Sequence, residues 1–127
     1  MFLSGVLYNL GAGLLFGLLP IFIDGFLPFF GIENPPSLIF LHLLIVLVYG
    51  FALFYFLAMK DLSKAKNTAL TGGLFKILFF LVVLIYFILD LVAGISGCNW
   101  IMVLIISVDF IQGSMYLEFY FRYDKFV

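Results

Sequence analysis

Two side chains of opposite charge interrupt otherwise apolar runs: Lys76 within Thr71–Leu91, and Asp109 within Trp100–Phe119. An ionised group inside hydrocarbon costs ~2.5–3.5 kcal/mol even on the insertion scale. Each therefore needs a partner, a held proton or a route to water. An ammonium and a carboxylate can satisfy one another, or together fix the polar head of a small molecule. Counted at ~1.5 Å per residue from the ends of their apolar runs, Lys76 lies about 8 Å in, Asn9 and Gln112 about 9–11 Å in, and Asp109 roughly a turn deeper than Gln112. Tyr55 sits somewhat closer to the same surface. Asn9, Tyr55, Lys76, Asp109 and Gln112 are thus the candidate site, a buried polar or ligand-binding layer. Two readings stay open for Lys76. It couples to Asp109, directly or through Gln112 or a water. Alternatively its stem, which leans toward its helix N-terminus, carries the ammonium out to water. Asp109 has no such escape, because its side chain leans toward the farther surface.

Other chemistry is thin. His42 with Asp24 or Asp90 matches no recognised ligand spacing, so no metal site is assigned and His42 reads as a hydrogen-bonded helix residue. The single cysteine, Cys98, excludes an intrachain disulfide. No GxSxG, HExxH, CxxC or phosphate-loop pattern occurs, so no catalytic residue or cofactor is named. A net charge of −1 leaves no basic face for nucleic acid.

The elements that must position the layer follow from composition. Of 127 residues, 66% are hydrophobic and 10% charged, too few polar side chains to cover a water-soluble domain. The chain reads as one all-α, integral-membrane domain over residues 1–127. It is an up-down four-helix bundle with spans at about 3–22, 38–59, 71–91 and 100–119. In the first span Gly5, Asn9, Gly13 and Gly17 recur every fourth residue, a stripe that lets another backbone approach closely. Pro20 kinks or closes that span. The segment 24–36, rich in Gly, Pro and Phe, lies in the interface or folds back as a lid. Pro35 and Pro36 open the second span, where proline is tolerated in the first helical turn. The polar stretch Lys60–Leu70 is a loop. The short 92–99 connection makes the last two spans a hairpin, and Trp100 is an interfacial anchor. Apart from Lys76, every Lys and Arg lies in the 60–70 loop or the tail. By the positive-inside rule both termini are cytoplasmic.

With these residues in hand, the chain resembles a family of small bacterial four-span membrane proteins that are loosely DoxX-like. The matching pieces are Tyr8-Asn9 with the glycine stripe and Pro20, Val48-Tyr49-Gly50 with Ala58 and Asp61, Gly73 with Lys76, and Asp109. The resemblance implies a four-helix bundle in a bacterial inner membrane. It supplies no assigned function, although DoxX itself is associated with quinone-linked sulfur oxidation. The leading expectation is a non-catalytic accessory subunit of a larger inner-membrane complex, partnered by lipid and by other membrane subunits or copies of itself. The alternatives are a binder or carrier of a quinone or lipid, held by the Lys/Asp/Asn layer, and, by resemblance alone, a quinone-linked redox accessory.

Overall fold

The computed structural model describes residues 1–94 and 97–126. Among them all regular structure is helical. Four helices are long and apolar enough to cross a membrane: α1 (Phe2–Phe22), α3 (Ile39–Lys60), α4 (Lys66–Ala93) and α5 (Trp100–Phe121). Two short helices accompany them, α2 (Phe26–Phe29) and α6 (Tyr123–Phe126), with a single 3-10 turn at Leu62–Lys64. Ile95 and Ser96 of the 92–99 connection, and Val127 of the tail, lie outside the described residues.

The helices form two antiparallel pairs, each zipped along small residues. In the first pair the α1 stripe faces α3. Gly13 lies under the Tyr49 ring, where a Cβ would come within 2.6 Å, and Gly17 lies against Ile45. His42 Nε2 is 3.0 Å from the Gly17 carbonyl, and Asn9 Nδ2 donates to the Val48 carbonyl at 3.3 Å. The glycine stripe is therefore spent within the chain. In the second pair Gly73 and Gly113 meet so closely that a Cβ on either would sit 3.0 Å from the other's carbonyl oxygen.

The pairs are joined at their two ends. At the near end, which carries both termini, Phe2, Tyr55, Tyr116 and Phe119 interlock. The Phe2–Tyr116 and Tyr55–Tyr116 centroid separations are 5.3 and 5.0 Å. Ala58, Ala65, Ala69 and Gly72 give these rings room. At the far end Asn99 is the clasp. Its side chain caps α5 by accepting from the Ile101 and Met102 amides, while its Nδ2 and backbone N–H donate to the Phe29 and Phe30 carbonyls at 2.8 and 2.9 Å. Gly31 at φ +76° turns the chain there, and a Cβ would strike the Asn99 nitrogen.

Two boundaries differ from the expectation. The 60–70 stretch is mostly helix: α4 starts at Lys66, because Ala65 and Ala69 are small enough to be buried against the aromatic core. Pro35 and Pro36 precede α3 rather than opening it, and the Ser37 hydroxyl takes the Ile39 amide. Pro20 lies inside α1, two residues before its end. The 24–36 segment folds back over the far end, with Phe26 and Phe30 packed on Phe16 at 5.4 and 5.3 Å and Leu27 buried.

Candidate functional site

Lys76 projects from α4 between the two pairs, about 15 Å along the helix from Lys66 at 1.5 Å per residue. The earlier helix start moves it well away from the near end, beyond the reach of a four-carbon stem to the surface. Snorkelling is thereby replaced by pairing: Lys76 is only 3% exposed, and its Nζ lies 2.6 Å from Asp109 Oδ1 on α5. The same shift of level explains how Asp109, whose side chain leans toward the far end, still finds its partner. Lys76 also donates to Asn9 Oδ1 at 3.2 Å. Its ammonium stands 4.9 Å from the Tyr8 ring centroid and 5.6 Å from that of Tyr55. Cation–ring attraction strengthens when the cation is desolvated, as here.

The second carboxylate oxygen, Asp109 Oδ2, accepts from the Tyr8 hydroxyl at 3.2 Å. That hydroxyl is also 3.2 Å from the Ile105 carbonyl. Asn9, Lys76 and Asp109 thus form one hydrogen-bonded layer, completed by Tyr8 and faced by the Tyr55 ring. Gln112 stands apart. It is buried on the same side of α5, yet among the described residues its Oε1 has no hydrogen-bond partner, and neither does the Tyr116 hydroxyl one turn on. Lys76 and Asp109 meet directly rather than through Gln112.

Two contributors were not placed in the candidate layer from the residues alone. Tyr8 adjoins Asn9, and both point between the pairs because α1 is approached by α3 on one side and α5 on the other. The small-residue face Ala65, Ala69, Gly72, Gly73 leads along α4 to Lys76 with helical spacing and seats α4 against Tyr55 and α5. That periodicity was available to read, but was hidden by assigning 60–70 to a loop.

Above the polar layer the two pairs diverge around a cavity of about 550 Å³. Tyr8, Asn9, Tyr55, Lys76 and Asp109 lie at its near end, and Leu27, Ile32, Glu33 and Pro35 of the folded-back segment at its far end. Between them the wall is aliphatic and aromatic, including Phe16, Leu44, Val48, Phe79, Val83 and Ile106. Leu44 of α3 and Phe75 and Val82 of α4 line the cavity and are exposed. The volume falls within the range of small-molecule sites, which are apolar with a few convergent polar groups.

At the far surface, His42 is committed to the Gly17 carbonyl. Among the described residues no group of three or more His, Cys, Asp or Glu could hold a metal. Cys98 is buried, with its Sγ 3.5 Å from the Val83 carbonyl. Burial, and secondarily Asp90, push its thiol pKa up. No family model, curated protein or solved structure matches the chain. What the site can do is therefore read from its own side chains.

Proposed function

We propose that the chain is a multi-pass protein of a bacterial inner membrane, an up-down four-helix bundle with both termini cytoplasmic. In this reading it binds a small, largely apolar molecule between its two helix pairs. Large apolar side chains turned outward support the membrane setting; Phe22, Phe40 and Val92 are 77–81% exposed. Lys60, Lys64, Lys66, Arg122 and Lys125 all lie at the near end, which supports the orientation.

The observation that carries the binding reading is the cavity, apolar over most of its wall and ending on a fixed ion pair. Small-molecule sites are clefts of this size, apolar with a few convergent polar groups, which this space matches. A molecule dissolved in the bilayer would enter between α3 and α4, at Leu44, Phe75 and Val82. Its chain would lie among Phe16, Phe79 and Ile106, and its polar end would meet Lys76. This places the binder ahead of the accessory-subunit reading, which rests on the apolar exterior alone. A quinone-linked accessory role, implied by the DoxX-like resemblance, is the second reading. It is favoured by one observation: Tyr8, Asn9, Lys76 and Asp109, all quoted for that resemblance, are the residues joined by hydrogen bonds.

The test is native mass spectrometry after purification in mild detergent. We expect a bound, non-protein mass on the wild-type chain and its loss from Ala12→Phe, which puts a ring into the cavity that Ala12 lines. An empty wild-type monomer would overturn the proposal. Recovery only in complex with another protein would favour the accessory subunit.

A further inference from the structure

The polar end of the cavity can be inventoried donor by donor, and the inventory selects a ligand chemistry. Resting on the binding reading above, we infer that the ligand presents an uncharged carbonyl oxygen to Lys76. The shared chemistry is that of a ketone, quinone or ester at the end of an apolar chain.

The inference starts from what is already spent. Asn9 uses its amide oxygen on Lys76 and its amide nitrogen on the Val48 carbonyl. Asp109 has one oxygen on Lys76 and the other on Tyr8. The Tyr8 hydroxyl has one proton, and two acceptors already compete for it, Asp109 and the Ile105 carbonyl. The Tyr55 hydroxyl is turned toward Gly72, one turn of α4 nearer the termini than Lys76, and only its ring faces the ammonium. Lys76 is different. An ammonium has three N–H donors, and two are used, on Asp109 and Asn9. The third has only the faces of the Tyr8 and Tyr55 rings around it. The unspent donor at this end of the cavity is therefore one charged N–H, and its complement is an acceptor.

Charge narrows the choice further. Lys76 and Asp109 cancel one another, so this end of the cavity is close to neutral. A cationic head would set a second positive charge beside Lys76 with each carboxylate oxygen already engaged. An anionic head would add an uncompensated negative charge beside Asp109, in a wall that offers no other cation. At this end either would leave water without a partner charge, which is costly in a low-dielectric site; Glu33, the other charged residue of the wall, lies at the far end. A hydroxyl head could also accept from Lys76, but its own proton must then be housed, on an Asp109 oxygen that already accepts from Lys76 or Tyr8. A carbonyl accepts and has nothing left to satisfy. A hydrogen bond from a charged donor is among the stronger ones, so the carbonyl should add about tenfold or more in affinity over the bare chain.

The experiment uses the full chain in detergent micelles and one ten-carbon series at equal micellar mole fraction, so that partitioning is matched. The probes are decane, 2-decanone, methyl decanoate, decyl-benzoquinone, decylamine and decanoate, each read by native mass spectrometry. We expect the three carbonyl probes to bind about tenfold tighter than decane, and decylamine and decanoate to bind more weakly than 2-decanone. A preference for the quinone over the ester, or the reverse, supports the inference and separates its two sources. In Lys76→Met/Asp109→Leu, the carbonyl probes should fall to the level of decane while decane is still held. If decane binds as well as 2-decanone to the wild type, or if the amine or carboxylate binds best, the inference is overturned and the cavity reading survives. If no probe binds, decane included, both fall together. The wild-type series decides the matter even if the double variant does not fold.

Discussion

The Lys76–Asp109 pair lends itself to a double-mutant cycle, because its two halves and its whole should have very different costs. At 2.6 Å and an effective dielectric near 20, the gross attraction is about 6 kcal/mol. Desolvating each ion costs several kcal/mol, which offsets most of that gain. Removing one partner keeps the desolvation cost and forfeits the attraction. Lys76→Met leaves the Asp109 carboxylate with only the Tyr8 hydroxyl, and Asp109→Leu leaves the ammonium with only Asn9 Oδ1. Each single variant should lose about 3–5 kcal/mol, the usual cost of breaking a buried pair. The double variant removes both charges and keeps apolar volume. Tyr8 still has the Ile105 carbonyl, and Asn9 Nδ2 still has Val48, so the main residual cost is the orphaned Asn9 Oδ1, about 1–2 kcal/mol. The cycle should therefore show at least ~3 kcal/mol of coupling. The measurement is reversible unfolding of all four proteins in mixed micelles by SDS titration, followed by circular dichroism. Single variants within ~1 kcal/mol of wild type, or a double variant equal to the sum of the singles, would refute the buried-pair account.

The aromatic end and the clasp give further tests by the same unfolding assay. Gly72→Val should destabilise by about 1–3 kcal/mol, since even a Cβ would come within 2.6 Å of the Tyr55 ring. Tyr116→Phe should be neutral or stabilising by up to ~1 kcal/mol, because the hydroxyl it removes is buried without a partner. Asn99→Ala removes a cap and the side-chain bond to the Phe29 carbonyl, and should cost about 1–3 kcal/mol. The raised Cys98 pKa means that the unfolded chain ionises first as pH rises, so the thiol's contribution to stability is lost as pH climbs through the ordinary thiol range. Iodoacetamide should accordingly label Cys98 far more slowly in the native protein than in the SDS-unfolded chain at the same alkaline pH; equal rates would contradict its burial. Reporter fusions at residue 1 and residue 127 should both report the cytoplasm, and a split result would refute the proposed orientation.

The helices were legible because their causes are local. Runs of apolar residues, the Gly5–Gly17 stripe and the polar breaks between spans all act within one segment, and each survives as an element of the structure. The errors lie where a tertiary contact overrides local polarity. Lys66, Asn67 and Thr68 look like loop on composition. Ala65 and Ala69, methyl-sized and buried in the same cluster as Phe2 and Tyr116, extend α4 through them because close packing there outweighs exposure of three polar side chains on the other face. Five added residues raised Lys76 by about 7.5 Å relative to the earlier count, enough to turn a side chain near water into half of a buried pair.

The cavity, by contrast, has no local signature. Its volume comes from the spacing of two helix pairs, which are held together at both ends and, in between, at one polar level. At the near end, small residues admit four interlocked rings and draw the pairs together. At the far end, a single asparagine ties the folded-back segment to α5. Between those points Tyr8, Lys76 and Asp109 bridge the pairs at one level only, and beyond it Phe16, Phe79 and Ile106 face one another across the cavity instead of interlocking. Each of these side chains, read alone, is an ordinary apolar residue of a membrane helix. The charged layer has a second consequence in this geometry. A lysine and an aspartate that served only to bind α4 to α5 could lie anywhere along the tightly packed seam of that pair. Here they lie where the seam opens to the other pair, with Asn9 and Tyr8 reaching them from α1. That placement puts polar groups at the floor of an apolar chamber, which is the arrangement a site needs to hold a molecule by its chain and orient it by its head.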